Sequence, residues 1–386
     1  MNKPLEGIKV VELSTYVAAP GAARMLADFG AEVIKVESPT GDQWRETGRK
    51  MLGTTDDENP VFDVYNTGKK CICLNIKDPA QKETMMKLLE RADIFATNTR
   101  AQSLKKLGLD AQTLTEKFPK LIFASIDGFG DKGPDANSPG FDNISFWARS
   151  GFARDIPYKS EDYYPLGATS GIGDCVTGGF LLAGIMTALY NRTRTGKGDI
   201  VSVSLYGAAT WVMSSMLLRA DPKYGETFPK TPNFGDPLTN NYECADGEWV
   251  NISVRAYEKD ADLMYEVMGI KDEIDKIGNV NVVTYYQIQD TLIPIIRKAM
   301  KKKTSAEWME IFREKDLVIG KLPHMKDVLT DEQAWANGFV EEITNRNGNK
   351  SVIACPPIKM ASYEKEPATL APLLNENEEE ILDSLK

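Results

Sequence analysis

The sequence predicts an α/β fold: an open, doubly wound, Rossmann-like parallel sheet with a second, smaller α/β domain. Three observations predict it. Over residues 1–130, short β-rich runs alternate with helical patterns of about 10–14 residues, as parallel βαβ units require. Residues 221–241 are rich in Pro, Gly, Thr and Asn, which reads as a linker or long loop, and a new α/β pattern begins beyond them. The 386 residues, 42% apolar and 26% charged, have ordinary globular composition and a length suited to two or three domains.

The first strand is expected at 8–13, and a helix at 19–29 that Gly30 stops. A second strand follows at 32–36. After an irregular stretch come a strand at 71–76, a helix at 79–92 and a strand at 94–97. Two short helical segments then precede a strand at 121–126. Ligands of such sheets sit beyond the carboxyl ends of the strands, which here means 14–21, 37–45, 98–100 and 127–133. Helical segments at 174–192 and 206–220 flank a strand at 200–205. The second pattern begins at 242–250 and continues through helices near 257–269 and 288–303. From Met325 a helix, an irregular strand and an acidic helix at 375–385 close the chain. The expected divisions are 1–224, a smaller domain at 225–325, and 326–386.

Composition excludes several function classes. Lys and Arg number 46 against 56 Asp and Glu, a net charge of −10 that argues against nucleic acid or an anionic membrane as main partner. Five cysteines without an apolar leader fit a reducing, cytoplasmic setting. The longest apolar run, 175–190, is short for a bilayer and reads as a buried helix. The one histidine, His324, follows a proline and reads as a surface loop residue, so Ser-His-Asp, Cys-His and multi-histidine metal chemistry lack material. Cys71 and Cys73 share a strand face, but no second cysteine pair completes a metal set, and buried apolar thiols are the simpler reading. No metal is expected. Catalysis is left to carboxylates, backbone donors or a bound cofactor.

Two glycine patterns invite a nucleotide. Gly128-Phe129-Gly130-Asp131-Lys132-Gly133 follows a strand, but Pro134 denies it the helix that would hold a pyrophosphate. Gly167 to Gly173 resembles the phosphate loop of short-chain dehydrogenases and offers an alternative, a NAD(P)-dependent reductase; the residues before it make a poor strand and no Tyr-x-x-x-Lys pair follows. Asp174 stands at the expected start of a long helix. Asp is a favoured N-cap, and that alone would explain it. Equally, Gly171, Gly173, Gly178 and Gly179 leave room for a ligand, and a helix N-terminus keeps a carboxylate ionised and able to attack. Cations gather at Lys35, Arg45, Lys69, Lys70, Lys77, Arg100, Lys105 and Lys106. They are either solvated helix faces or, for Lys70, Lys77, Arg100 and Lys106, holders of a phosphorylated ligand.

Taken together, these residues resemble the class III CoA-transferases, the family of formyl-CoA transferase and carnitine CoA-transferase. The matching blocks are 4–13, Ala19-Pro20-Gly21, 27–37, Gly128-Phe129-Gly130, Gly140-Phe141-Asp142, Gly173-Asp174, 195–198 and 331–335. Within the family the chain is most similar to the 2-hydroxyacid branch, such as phenyllactate and 2-hydroxyisocaproate CoA-transferases, on 138–142 and 331–337. The resemblance implies that Asp174 is catalytic. It also implies that Val17, Ala18, Leu74, Asn75, Lys77, Asn98, Arg100, Lys106, Phe141 and Asp142 lie where relatives contact CoA; Ser38 replaces an arginine that some relatives use. It implies further that 326–386 return to the large CoA-binding domain and that two subunits interlock as a homodimer. Coenzyme A and a small carboxylic acid would be substrates, with no prosthetic group bound.

The implied chemistry passes through a mixed anhydride and a β-aspartyl-CoA thioester on Asp174. A thiolate leaves without a general acid, so no histidine is needed. Residues 233–236, around Gly235, are expected to help shield the anhydride from water. α-Methylacyl-CoA racemase is the alternative within the family; racemases carry Gly-His-Asp where this chain has Gly140-Phe141-Asp142, so the usual base is absent. A non-enzymatic CoA-binding regulatory module is a third reading.

Overall fold

In the computed structural model, which describes residues 3–160, 162–169, 171–278, 280–281 and 283–386, the first half of the chain runs as follows. β1 (Lys9–Leu13), α1 (Ala18–Asp28) and β2 (Glu32–Glu37) are followed by α2 (Gln43–Leu52) and α3 (Pro60–Asn66). Next come β3 (Lys70–Cys73), α4 (Pro79–Glu90), β4 (Ile94–Thr97), α5 (Ala101–Leu107), α6 (Ala111–Lys117) and β5 (Ile122–Asp127). A π-helical segment, Asp142–Ala148, and α7 (Phe152–Asp155) precede α8 (Ile172–Thr195), β6 (Ile200–Ser204), α9 (Leu205–Val212) and α10 (Ser214–Ala220).

The six strands make one sheet in the order β3-β2-β1-β4-β5-β6, parallel at every pairing. Successive residues point to opposite faces, so Val10, Ile94 and Ile122 enter one core while Val11, Phe95 and Phe123 enter the other. α1 and α8 cover the first face. α4, α5 and α6 cover the second, joined by Ile381 near the C-terminus. The sheet is doubly wound, and its strand order reverses between β1 and β4, the switch point where such folds bind ligands.

α8 has 24 residues and is long and apolar enough to cross a membrane by length and composition. Its Thr177, Leu181, Leu182, Ile185, Ala188 and Leu189 are nevertheless buried within the first core. It extends at both ends beyond the apolar run, and starts at Ile172. Asp174 is therefore not the N-cap: Gly171 holds that position in a left-handed conformation, and Asp174 lies inside the first turn. Of the neighbouring glycines, Gly173 and Gly178 serve packing, whereas Gly171 lines the cleft and Gly179 faces open space. A Cβ on Gly173 would meet Asp142 Oδ1 at 2.2 Å and Phe146 Cγ at 2.3 Å, and one on Gly178 would meet the Ala18 carbonyl oxygen at 2.6 Å. Residues 206–220 also differ from expectation, breaking at Met213 into α9 and α10.

The irregular stretch between β2 and β3 holds two helices, and charge rather than apolar periodicity fixes it. Lys35 and Glu12 are fully buried. Lys35 Nζ lies 3.0 Å from Glu12 Oε1, 3.0 Å from Asp42 Oδ2 and 3.0 Å from the Ser14 carbonyl oxygen. Lys69 Nζ reaches Glu12 Oε2 at 2.7 Å. Arg45 Nη2 pairs with Glu37 Oε1 at 2.7 Å, and the guanidinium lies 4.0 Å from the centre of the Phe62 ring. Lys70 pairs with Glu32 and Glu380. Lys35, Arg45 and Lys69 are thus committed within the protein, whereas the Lys70 pairs lie at the surface.

Two compact units emerge. The first comprises Met1–Asp155, Pro165–Thr227 and Glu332–Lys386, and the second Ile156–Tyr164 and Phe228–Asp331. The second unit has an antiparallel sheet of β7 (Thr239–Glu243), β8 (Trp249–Ser253) and β9 (Val318–Lys321). The run 242–250 is a hairpin, turning at Asp246-Gly247, where Gly247 has φ +79°. Helices α11 (Asp262–Val267), α12 (Lys271–Ile277), α13 (Tyr285–Met300) and α14 (Ser305–Glu314) complete this unit. Its core includes Tyr242, Tyr265, Leu292, Trp308 and Phe312. Gly235 is tied to α13, its N–H donating to Gln289 Oε1 at 2.9 Å. His324 is exposed. In the first unit, α15 (Glu332–Ala336), the hairpin β10 (Val340–Thr344) and β11 (Lys350–Ala354), and α16 (Glu378–Ser384) end the chain.

Removing one partner from a buried, charge-balanced cluster leaves an uncompensated charge. Lys35→Met is expected to destabilise the first unit by about 3–5 kcal/mol, read as a lowered midpoint in urea unfolding. Glu12 is buried, yet Lys35 and Lys69 hold its carboxyl down at about 2. Its share of stability is therefore present above the unfolded value of 4.5 and is lost as pH falls from there toward 2.

Candidate active site

The carboxyl ends of the strands open onto a cleft of about 1490 Å³ in the first unit. That exceeds the roughly 300–1,000 Å³ of ordinary small-ligand pockets. Val17, Ala18, Asn98, Arg100, Phe141, Asp142 and Asp174 all line it. Leu74, Asn75, Lys77 and Lys106 do not; Leu74 is buried, and Asn75, Lys77 and Lys106 are exposed.

The loop after β1 is held tightly. Thr15 N donates to Asn98 Oδ1 at 3.0 Å, and Asn98 Nδ2 donates to the Thr15 carbonyl oxygen at 2.7 Å. The amide of Asn98 is used at both ends, so it joins the loops after β1 and β4. Asp42, anchored by Lys35, accepts from Tyr16 N at 3.1 Å and Trp44 N at 2.9 Å. Tyr16 has φ +66°, an uncommon region for a non-glycine residue that costs on the order of 1–3 kcal/mol. The conformation sets its ring edge-on to Phe141, 5.6 Å between centroids, and 5.9 Å from that of Trp44. These three rings make an aromatic wall. Tyr16, Trp44 and Tyr65 were not singled out from sequence; the only signal was that Tyr16 and Trp44 fall within the segments after β1 and β2.

Asp174 is half-buried on the first turn of α8. Among the described residues, no hydrogen bond or ion pair engages its carboxylate. Burial, and then the nearby Asp142 carboxylate, push its carboxyl up to about 7. Asp142 is buried and accepts from Gly171 N at 3.2 Å through Oδ2; burial raises its carboxyl, while that donor opposes the rise. On another side Tyr65 Oη lies 3.7 Å from Cys175 Sγ, and burial keeps both groups neutral. The cleft thus presents in Asp174 an unpaired carboxylate, made basic by burial, that is able to attack an electrophilic carbonyl. Of the described residues lining it, Arg100 alone is a cation; it is exposed and has no ion pair among the described residues. Residues 162–169 form no strand before Gly171, which removes the setting that a dinucleotide phosphate loop needs. Among the described residues, no cluster of His, Cys, Asp or Glu could hold a metal ion.

An α/β fold with an unpaired, half-buried carboxylate in the cleft beyond its strand ends suits covalent acyl chemistry. Residues 5–378 match CoA-transferase family III. The chain is 38% identical to (R)-2-hydroxy-4-methylpentanoate CoA-transferase of Clostridioides difficile, over 99% of this chain and 95% of that one. It is 36% identical to cinnamoyl-CoA:phenyllactate CoA-transferase of Clostridium sporogenes, over 98% and 92%. A CAIB/BAIF family protein from Brucella suis has a similar structure, with a TM-score of 0.84 at 25% identity over the whole of both chains. The chain belongs to CoA-transferase family III and is a CoA-transferase.

A buried acid held above its ordinary value penalises the folded state once it ionises. Its native carboxyl titrates at about 7 against 3.8 when exposed. The native state thus binds the extra proton between these values and loses stability as pH rises through them. Asp174→Asn is expected to be more stable than the parent by about 1–2 kcal/mol at pH 8, allowing for partial exposure of the group, with the gain vanishing near pH 4. Thermal melts of both proteins from pH 4 to 8 check this.

Proposed function

We propose that the enzyme moves CoA from an acyl-CoA thioester to the free carboxylate of an (R)-2-hydroxyacid such as 2-hydroxyisocaproate or phenyllactate. The observation that carries this reading is the Asp174 carboxylate: in the cleft, unpaired, and made more basic by burial and by Asp142. The names of the two clostridial relatives support the choice of acid.

In the proposed sequence, Asp174 attacks the donor thioester carbonyl; the C–S bond breaks, giving a mixed anhydride and CoA thiolate. The thiolate attacks the Asp174 carbonyl, forming a β-aspartyl-CoA thioester and freeing the donor acid. The acceptor carboxylate then attacks that thioester, whose C–S bond breaks to give a second mixed anhydride and CoA thiolate; thiolate attack on the acceptor's carbonyl yields the new acyl-CoA and restores Asp174. No proton need be supplied to a thiolate leaving group. This agrees with a cleft that contains no histidine. Val17, Ala18 and Phe141 would face the thioester arm. Arg100, together with Lys77 and Lys106 outside the cleft lining, would meet the phosphates. The aromatic wall of Tyr16, Trp44 and Phe141 suits an acid with an apolar side chain.

A homodimer is part of the proposal. The exposed Tyr190, Trp211 and Leu218 on α8, α9 and α10 offer apolar area for a second copy. Sedimentation velocity should give a particle of twice the chain mass, 42.8 kDa.

Incubation with a panel of acyl-CoAs and acids, with mass spectrometry of the CoA products, tests the transfer. Asp174→Ala is expected to lose at least about a thousandfold in kcat, as removal of a covalent nucleophile does. In the parent, kcat/KM should climb with pH and level off above about 7, because only the ionised carboxylate attacks. A CoA adduct should appear on the peptide that contains Asp174. An Asp174→Ala variant with full turnover overturns the reading.

A further inference from the structure

Asp142 is buried, and its place in the structure is more confined than a ligand contact requires. It opens the π-helical segment whose Phe146 and Trp147 are buried in the core. Its Oδ2 accepts from Gly171 N at 3.2 Å, the residue that caps α8. Its Oδ1 occupies the space that any side chain at position 173 would need, since a Cβ there would lie 2.2 Å away. The carboxylate is therefore seated against the turn that carries Asp174, and both acids line one cleft.

The groups around the two acids are all uncharged. Tyr65 comes from α3 and Cys175 from α8 itself, and both remain neutral because burial raises them. The Gly171 N–H holds Asp142 at Oδ2, while its Oδ1 and the nearby Trp147 indole nitrogen are buried without a hydrogen-bond partner, so the charge is not cancelled. No cation pairs with either acid among the described residues.

Resting on the function proposed above, we infer that Asp142 is a positioning residue of the transfer: it fixes the first turn of α8 and, by like-charge repulsion, favours the acylated states of Asp174 over its free carboxylate. The charge argument is short. Free Asp174 places a second negative charge beside Asp142 in a medium less polarisable than water, whereas the anhydride and the β-aspartyl-CoA thioester are neutral at that position. Acylation relieves the repulsion, so the first attack and the covalent adduct both gain. A helix cap alone would not do this, because an uncharged acceptor caps equally well.

The test is Asp142→Asn, which keeps size and an acceptor for Gly171 N–H but removes the charge. Two readouts separate charge from scaffold: the acidic limb of the kcat/KM profile, and the fraction of enzyme carrying CoA on the Asp174 peptide after rapid quenching under turnover. The limb is expected to move to lower pH and the adduct fraction to fall on the order of tenfold, with KM for acyl-CoA unchanged. Asp142→Glu should retain the parent's limb. If the Asn variant does not fold, Asp142→Ser, smaller and equally uncharged, is read in its place. A limb and adduct level equal to the parent's overturn the inference, as does a raised KM with an unmoved limb, which would make Asp142 a ligand contact only. Either result leaves the proposed function standing provided Asp174→Ala is inactive; full activity of Asp174→Ala removes that function whatever Asp142 does.

Discussion

The buried charge cluster at the ends of β1 and β2 is the constraint on which the rest of the first unit depends. Glu12, Glu37 and Asp42 supply three negative charges; Lys35, Arg45 and Lys69 supply three positive ones. Each would be prohibitively costly alone in the interior, so the six must be brought together for the chain to close there. Closure does more than balance charge. It draws Asp42 under the loop after β1, and Asp42 then accepts the N–H of Tyr16 and holds that residue in its left-handed conformation. An electrostatic requirement in the core thereby shapes the wall of the cleft.

The opposite wall depends on close packing. Gly178 lets α8 approach the start of α1, and Gly173 lets Asp142 settle against the first turn of α8. The result is a half-buried carboxylate with no counter-ion among the described residues, a state that raises its basicity. In the proposed cycle Asp174 is acylated once and released once, and a basic, unpaired carboxylate favours the acylation. Hydrogen bonds or an ion pair would stabilise the free anion and slow the first attack.

The parallel sheet was legible because its strands are bounded by turns and alternate with helices of regular length. α2 and α3 were not, because the buried face of α2 consists of Trp44, Arg45 and Gly48. A helix buried through an ion pair leaves no apolar stripe for periodicity to find. The hairpin of β7 and β8 was not singled out within 242–250, although Asp246-Gly247 is a turn signal in that run. The glycines beside Asp174 were seen as ligand space, yet whether an absent side chain makes room for a substrate or for the protein's own backbone depends on what approaches from elsewhere in the chain.

By itself, then, the sequence determined the α/β class, the position of the strand ends and the scarcity of histidine that turns attention to carboxylates. These are local or compositional properties, carried by residues close together in the chain. Tertiary structure decided which cations are spent internally, which carboxylate is left unpaired, and which rings face the cleft. The physical reason is that pairing, burial and like-charge proximity are relations between distant residues, such as Asp142 and Asp174 or Glu12 and Lys69, and no one-dimensional pattern encodes the distance between them.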